Sequence, residues 1–373
     1  MSFLSLCFKH KEGGYNKKLY ELYETLAEDE NRVLVITAEK LPVRNEIVEQ
    51  QALKVPFATQ ENLCFWLVFC VKAFVSAYSI SAKRRPKGIL NFGPLYSALS
   101  LVPIICLRIP SIVFIRGDNM KHSPNIIRNL FFFFIDGLGL WLARRVIFNS
   151  KTLKKRYCRR YRLRPSKCEV VPNQIKRHIS VSSEKRAEAR AGLGVEDHEF
   201  LLSTSGIFNP GKNFGFLIKA MAGLKERPAK LLIIGDEMAP TGEKRKLKSM
   251  AKFYGVEDRI IFYGWEKTPV NLIAVSDAFV FPSKYEGMPN SLLEALSCGI
   301  PCLGSRISEI EEVLKYDELL FSISDEKEYI RRVIDLMDDD KTYLKAMFLS
   351  EQRCRRFSFD WNEEIIRAVK GGL

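Results

Sequence analysis

The sequence is poor in the residues that hold metals or build disulfide frameworks. It has four histidines, widely separated, and no two cysteines with the Cys-x-x-Cys spacing. Because a zinc site needs several such ligands close together, we expect no metal site. The nine cysteines, an odd number, stand in apolar or basic stretches. This pattern favours a reducing compartment over a disulfide-bonded, secreted fold.

Long uninterrupted apolar runs are also missing. A membrane-spanning helix requires about twenty apolar residues, but the run Leu63–Val71 ends at Lys72, and residues 99–115 contain two prolines and Arg108. The first eight residues are too short for the apolar region of a signal peptide, and we interpret them as a buried strand. Neither half has a Gly-x-Gly-x-x-Gly after its first strand, so a nicotinamide dinucleotide site has no support.

Apolar strands that alternate with helix-like periodicity make up most of the chain. With 373 residues, 47% of them hydrophobic, it is long enough for two domains of ordinary size. The alternation predicts two α/β halves, each a doubly wound parallel sheet with helices on both faces. We place a linker over residues 172–195, where apolar periodicity is lost. Strands are predicted at residues 3–8, 32–37, 88–92, 111–115, 145–148, 200–204, 230–234, 260–263, 278–281, 301–303 and 319–321.

Residues 278–301 carry most of the functional information. An apolar strand leads to a loop with Glu286, then to a helix with Pro289 in its first turn, Glu294 further along and Gly299 at its end. Backbone N–H groups at a helix start suit a phosphate, and carboxylates on either side suit sugar hydroxyls, so a nucleotide-sugar fits. The alternative is two solvated acids beside a helix start, where acids are favoured anyway. We favour the site, with donor-binding residues Glu286, Gly287, Met288, Pro289, Asn290, Ser291 and Glu294.

Several short motifs in this order resemble one known family. The pair Glu286 and Glu294 is similar to the Glu-x7-Glu signature of retaining, family-4-type glycosyltransferases (glycosyl transferases group 1), which have the GT-B architecture. Residues 171–173, 205–213, 231–236 and 260–264 match that family in type and order. The resemblance implies two Rossmann-like domains facing across a cleft. They would span residues 1–173 and 174–355, with a C-terminal helix of about 356–373 packing back on the first.

The resemblance also assigns residues to the donor's diphosphate. Gly206 and Lys212 fall in the family's phosphate loop, but Ile207 stands where the family has an arginine. Another cation must then replace that guanidinium, since a diphosphate demands strong positive charge. Lys284 and Arg306, both near predicted strand ends, are candidates.

Other loops at the carboxyl ends of predicted strands offer further residues, because ligands of open parallel sheets bind there. Gly13 and Gly14 permit close approach of a diphosphate to the backbone, or form only a tight turn. Trp265 either stacks on the donor's base or covers the core, and the two readings have equal weight. Asp118 comes immediately beyond a buried strand, although Asn119 and Lys121 are equally placed there. The expected catalytic set is Glu286, Lys212 and Asp118.

Together these features predict an enzyme that moves a hexose from a nucleotide-diphosphate donor. The expected donor is a UDP-sugar. The acceptor would be a hydroxyl of a glycan or lipid-linked molecule in the biosynthesis of cell-surface polysaccharide or lipopolysaccharide. Front-face attack, as the resemblance implies, needs no protein nucleophile, and cations and amides can neutralise the diphosphate without a metal or other cofactor. Two alternatives stay open: a sugar-nucleotide epimerase or glycan phosphorylase of the same architecture, and a non-catalytic basic protein that binds nucleic acid or lipid.

The positive charge is concentrated in one segment. Eleven Lys and Arg residues lie from Arg144 to Lys167 with no acid among them, against a net charge of +14 for the chain. The apolar residues Leu130–Phe134 and Trp141 are nearby, a pattern typical of a helix held against anionic lipid. A solvated helix is the second interpretation, and nucleic acid the third, since no recognition module is present. We expect a cytoplasmic enzyme peripherally associated with the inner face of the cytoplasmic membrane, without a nucleic-acid partner.

Overall fold

The computed structural model of the protein describes residues 3–7, 14–28, 32–43, 48–55, 63–117, 126–175 and 180–373. The chain divides into two compact units, the first formed by Met1–Pro172 with Asp360–Leu373, the second by Asn173–Phe359. Each unit is built on a parallel β-sheet. The α/β class expected from the sequence is therefore confirmed.

The first unit contains a seven-stranded sheet with strand order β3-β2-β1-β4-β5-β6-β7. The order reverses at β1, so the topological switch point of the sheet, where ligands of open α/β sheets bind, lies between β1 and β4. The elements, in chain order, are β1 (Phe3–Leu6), α1 (Gly14–Glu28), β2 (Val33–Thr37), β3 (Val48–Ala52), α2 (Leu63–Arg84), β4 (Gly88–Phe92), α3 (Pro94–Leu99), α4 (Leu101–Cys106), β5 (Ser111–Ile115), α5 (Ile126–Leu142), β6 (Arg145–Phe148), α6 (Lys151–Tyr161) and β7 (Cys168–Val170).

The second unit contains a six-stranded sheet with strand order β10-β9-β8-β11-β12-β13. Because β8 lies between β9 and β11, the loops that follow these three strands are neighbours. The elements are α7 (Ser183–Gly192), β8 (Phe200–Ser205), α8 (Phe214–Ala222), β9 (Ala229–Ile234), α9 (Glu243–Tyr254), β10 (Ile260–Gly264), α10 (Val270–Ile273), β11 (Ala278–Phe281), α11 (Asn290–Leu296), β12 (Cys302–Ser305), α12 (Ser308–Leu314), β13 (Leu320–Phe321), α13 (Glu326–Asp338) and α14 (Asp340–Phe357).

The central strands of both sheets are apolar on both faces because helices cover both faces. Every residue of β5 and of β11 is buried. Each fully buried Val, Ile or Phe side chain contributes about 1.5–3 kcal/mol by leaving water. The continuous apolar runs from which these strands were predicted thus form the cores of the two units.

The last helix, α15 (Trp361–Lys370), belongs to the first unit and packs on α1. Trp361 is buried there, with Lys18 Nζ 4.2 Å from its ring centroid. Thr25 Oγ1 donates a hydrogen bond to Asn362 Oδ1 at 3.0 Å. These contacts bind the end of the chain to its beginning, and the return to the first unit starts at Asp360.

The expected linker over residues 172–195 contains a helix, α7, which is part of the second unit. Ser182 caps its start by accepting from the N–H of Lys185. Arg186 and Arg190 then pair with Asp277, at 2.6 and 2.9 Å. The boundary between the units, Pro172/Asn173, falls within the expected linker. The helix in the rest of that range was not predicted because it is polar, is fixed by a cap and ion pairs, and has little apolar periodicity.

Candidate active site

The expected phosphate loop follows β8 and is shaped by Asn209. Its Oδ1 accepts hydrogen bonds from the N–H groups of Gly211 at 2.9 Å and Lys212 at 3.2 Å. Asn213 then adopts the left-handed conformation, with φ 56°, and starts α8. An Asn side chain that bonds its own backbone two residues on is a common way to stabilise a tight turn. The turn brings Lys212 back over the end of β8.

Gly206 makes room for the lysine. Its φ is +152°, and a Cβ added there would lie 3.0 Å from Lys212 Cε. Any other residue at position 206 would therefore both strain the backbone and displace the Lys212 side chain. The two loop residues assigned by resemblance to the diphosphate are in direct contact.

The structure brings Lys212 and Glu286 together at the ends of β8 and β11. Lys212 Nζ lies 2.8 Å from Glu286 Oε1, and the side chains are 19% and 12% exposed. The same Nζ is 4.7 Å from the centroid of the Phe281 ring. Because water is largely excluded, this pair interacts more strongly than a surface ion pair. A cation and a carboxylate thus stand side by side, as contact with a phosphate and an adjoining sugar requires.

Three further contacts tie the loop after β8 to the loop after β11. Lys284 N–H donates to Gly211 O at 2.8 Å, and Asn213 Nδ2 donates to Pro282 O at 3.2 Å. The Tyr285 ring covers Gly211 so closely that a Cβ at position 211 would lie 2.4 Å from Tyr285 Cζ. The two loops therefore form one structural piece, and sequence reasoning missed the part that Tyr285 plays in it.

The helix α11 begins beside this pair. Its first backbone bonds run from the N–H groups of Leu292 and Leu293 to Pro289 O, both at 3.1 Å. The N–H groups of Asn290 and Ser291 precede that bonded turn. Four of the expected donor-binding residues in this segment are partly exposed, and they are Gly287, Asn290, Ser291 and Glu294, whereas Met288 and Pro289 are buried.

Asn173 reaches the start of α11 from the beginning of the second unit. Its Nδ2 donates a hydrogen bond to Asn290 Oδ1, and its side chain is buried. The sequence placed residues 171–173 among the family-like motifs without giving them a task. The structure shows that Asn173 holds the helix that carries Glu294.

Three other expected site residues, Gly13, Gly14 and Asp118, belong to the first unit, and Trp265 belongs to the second. Gly13 and Asp118 lie outside the described residues, and Gly14 is the first residue of α1. Trp265 directly follows β10 and is 49% exposed. Its ring is therefore on the surface at the carboxyl edge of the second sheet, where stacking on a ligand is sterically open.

Cys298 is the thiol nearest in sequence to this site. Burial raises the pKa of Cys298 to about 12, and its Sγ lies 3.4 Å from Glu294 O. A thiol with such a pKa stays protonated at neutral pH and is a poor nucleophile. Cys298 is therefore a structural residue.

Comparison with known proteins agrees with this fold. Residues 12–177 match the model of Glycosyltransferase Family 4, and residues 185–347 match that of Glycosyl transferases group 1. A solved structure of the Anabaena protein Alr3699/HepE in complex with UDP superimposes with a TM-score of 0.80, at 18% identity and full coverage of both chains.

Two curated bacterial relatives are similar in sequence. One is the Campylobacter jejuni N-acetylgalactosamine-N,N'-diacetylbacillosaminyl-diphospho-undecaprenol 4-alpha-N-acetylgalactosaminyltransferase, 28% identical over 74% of this chain and 71% of that protein. The other is the Escherichia coli UDP-Gal:alpha-D-GlcNAc-diphosphoundecaprenol alpha-1,3-galactosyltransferase, 26% identical over 51% of this chain. The match spans about half, 49%, of the Escherichia coli protein's length.

The two parallel-sheet units have the GT-B architecture of the solved structure, and the family models and sequence relatives define the class of protein as a glycosyltransferase. The two family models together cover most of both units. The chain belongs to the family-4, group 1 glycosyltransferases, as the Glu286 and Glu294 motif indicated.

Proposed function

We propose that this enzyme is a retaining transferase that moves a hexose from a nucleotide-diphosphate donor, a UDP-sugar, to a hydroxyl of a glycan or lipid-linked acceptor. The observation that carries this is the contact between Lys212 and Glu286 at 2.8 Å. Lys212 would neutralise the diphosphate as it departs, and Glu286 would hold the sugar hydroxyls and steady charge at the anomeric carbon. Glu294, on α11, would accept from the ribose. Charge stabilisation of this kind is the largest electrostatic demand of the reaction.

The printed names of the relatives support the acceptor class. The Campylobacter jejuni and Escherichia coli proteins both act on saccharides linked to undecaprenol through a diphosphate. By analogy, we propose a polyprenyl-diphosphate-linked glycan as acceptor, in the biosynthesis of cell-surface polysaccharide or lipopolysaccharide. No metal is required in this proposal, because cations and backbone amides stabilise the leaving diphosphate.

The test is a thermal-shift screen followed by a transfer assay. We expect UDP-sugars to raise the melting temperature by mass action more than GDP-, ADP- or CMP-sugars. Mass spectrometry should then find one hexose added to a lipid-linked acceptor, and proton NMR of the product should show the anomeric configuration of the donor kept. Conversion of the donor to its epimer, or a product that forms only with added phosphate, would instead indicate an epimerase or a phosphorylase.

We also propose that the first unit binds the membrane through an apolar face on three of its helices. The helices α2, α3, α4, α5 and α6 pack side by side, and large apolar side chains on α2, α4 and α5 stay exposed. An exposed surface of this kind marks an interaction site. The apolar face consists of Val71, Phe74, Val75, Tyr78, Ile105, Leu130, Phe134, Leu138 and Trp141, each 37–62% exposed. None of the helices in the described ranges combines the length and the hydrophobicity needed to cross a bilayer.

The basic segment borders this face, but part of its charge is used within the protein. Lys167 Nζ donates to Leu140 O at 2.7 Å and so caps the end of α5. Lys154 Nζ donates to Cys168 O at 2.6 Å, and Arg145 pairs with Glu169. Because these three cations have partners within the protein, fewer than eleven are available to bind a lipid surface. Three that are largely exposed to solvent are Lys155, Arg159 and Arg164.

Replacing Lys155, Arg159 and Arg164 by Gln should release the enzyme from anionic vesicles. Each cation near such a surface contributes about 1 kcal/mol, so the partition coefficient should fall by roughly a hundredfold. Sedimentation with vesicles of phosphatidylglycerol and phosphatidylcholine measures this, and wild-type binding should weaken as salt rises. Activity on a short, water-soluble acceptor should stay at the wild-type level.

Two further variants show whether the basic segment and the apolar face each contribute to vesicle binding. Changing Arg245, Lys246 and Lys252 of the second unit to Gln alters the net charge equally and should leave vesicle binding intact. Phe134→Ser with Leu138→Ser should reduce binding without changing its salt dependence, since no charge is lost. If wild-type enzyme stays in the supernatant at low salt, the membrane proposal is wrong and the basic helix is only a solvated surface.

A further inference from the structure

The missing arginine at position 207 raises the question of which residue supplies the second cation. Ile207 is partly exposed and carries no charge. Arg306, one candidate from the sequence, is paired with Asp317 and lies 3.7 Å from Glu328. It belongs to an ion-pair network beyond β12, away from the loop after β8. Lys284, the other candidate, lies on the Glu286 side of that loop.

The loop after β8 is in close contact with the end of β9 on its other side. Gly206 N–H donates to Ile234 O and Phe208 N–H donates to Asp236 O, both at 3.0 Å. A Cβ at Gly235, whose φ is +140°, would lie 2.0 Å from Gly206 O. The backbone of residues 235–236 therefore lies directly against the loop segment that contains Ile207.

Asp236 holds a lysine at this place. Its Oδ2 is 2.5 Å from Lys244 Nζ, and the two side chains are 30% and 34% exposed. This bond lowers the pKa of the Asp236 carboxyl below its usual value, so the carboxylate is ionised at neutral pH. Lys244 N–H also donates to Glu237 Oε1 at 2.7 Å. Both the backbone and the side chain of Lys244 are thus fixed relative to the end of β9.

Lys244 also lines an open pocket of about 810 Å³ at the start of α9. Arg245, Lys248 and Lys252 line the same pocket together with one acid, Glu237, so the lining carries a net positive charge. A site of this kind attracts anions.

We infer that Lys244 is the second cation of the donor's diphosphate site, in place of the arginine absent at position 207. Because β8 lies between β9 and β11, Lys244 and Lys212 flank the loop after β8 from opposite sides. Each is held by a carboxylate, Asp236 for Lys244 and Glu286 for Lys212. Two charge-assisted hydrogen bonds from opposite sides satisfy the two phosphates. This inference rests on the proposed nucleotide-diphosphate donor.

The experiment measures the Kd of UDP and of uridine by calorimetry. Lys244→Ala should weaken UDP binding at least tenfold and leave uridine binding unchanged, because only UDP has a diphosphate. Lys246→Ala, in the same helix but outside the pocket lining and without a bond to Asp236, should bind UDP within twofold of wild type. The variant Ile207→Arg in the Lys244→Ala background should recover most of the lost affinity by restoring the guanidinium.

The outcomes separate the two proposals. If wild type binds none of UDP, ADP and GDP, the nucleotide-diphosphate donor itself is wrong, and the Lys244 assignment is lost with it. If wild type binds UDP and Lys244→Ala binds it equally well, the donor proposal stands and Lys244 has no contact with the diphosphate. Equal losses for UDP and uridine would make Lys244 a structural residue. Circular dichroism and Lys244→Gln, which keeps a polar side chain without the charge, guard against a folding defect.

Discussion

Glu286→Gln should reduce sugar transfer by at least about a hundredfold, the loss expected when a preorganised charge is removed from the reacting centre. The substitution keeps the size of the side chain and removes only its charge. Gln Oε1 can still accept from Lys212 Nζ, so the melting temperature should change little. Donor binding should be kept or slightly tightened, since Lys212 loses its competing carboxylate. The loss therefore belongs in kcat, with KM for the donor nearly constant.

Glu326→Gln is the matched control for this variant. Glu326 also pairs with a lysine in the second unit, with 2.6 Å between Lys219 Nζ and its Oε2, but at a more exposed site. Its replacement should leave kcat within twofold of wild type. Wild-type turnover by Glu286→Gln would show that this carboxylate does not touch the reacting sugar, and the assignment of Glu286 would be wrong.

The strands of both cores were predictable because burial on two faces requires a continuous apolar run. The predicted strands 88–92, 111–115 and 278–281 coincide with β4, β5 and β11. Among the residues that the structure describes, two strands were not predicted. The sequences of β3, Val-Glu-Gln-Gln-Ala, and β7, Cys-Glu-Val, carry little apolar signal. They form by backbone pairing with β2 and β6 at the edges of the sheet.

The candidate site was predicted as a set of motifs but not as a set of contacts. The sequence gives no indication that Lys212 and Glu286, 74 positions apart, form an ion pair. Nor does it show that Tyr285 covers Gly211, which depends on how two loops meet after β8 and β11. The same limit applies to charge: Arg306 resembled a spare cation in the sequence, yet Asp317 engages it. Partners of long polar side chains follow from tertiary packing, which spacing along the chain does not encode.

Lys212→Ala should cost about 2–4 kcal/mol of transition-state stabilisation, a loss of roughly 30- to 1,000-fold in kcat/KM. The lysine lies over Gly206, its Nζ is 2.8 Å from Glu286, and its ammonium faces the Phe281 ring at 4.7 Å. It is therefore held in one position before the donor binds, and a preorganised cation acts without reorganisation when charge develops on the leaving diphosphate.

Two further variants, Lys212→Arg and Lys284→Ala, test this prediction. Lys212→Arg should not restore activity, because the Lys212 side chain lies directly against Gly206, where even an added Cβ would come within 3.0 Å of its Cε, and the planar, branched guanidinium takes more space than an ammonium. Lys284→Ala, in the exposed part of the Glu286 loop, should lower kcat/KM by less than threefold. Steady-state rates with donor varied at saturating acceptor measure all three. If Lys212→Ala and wild type were equally fast, Lys212 would not contact the diphosphate, and the cation on the β9 side would have to neutralise it alone.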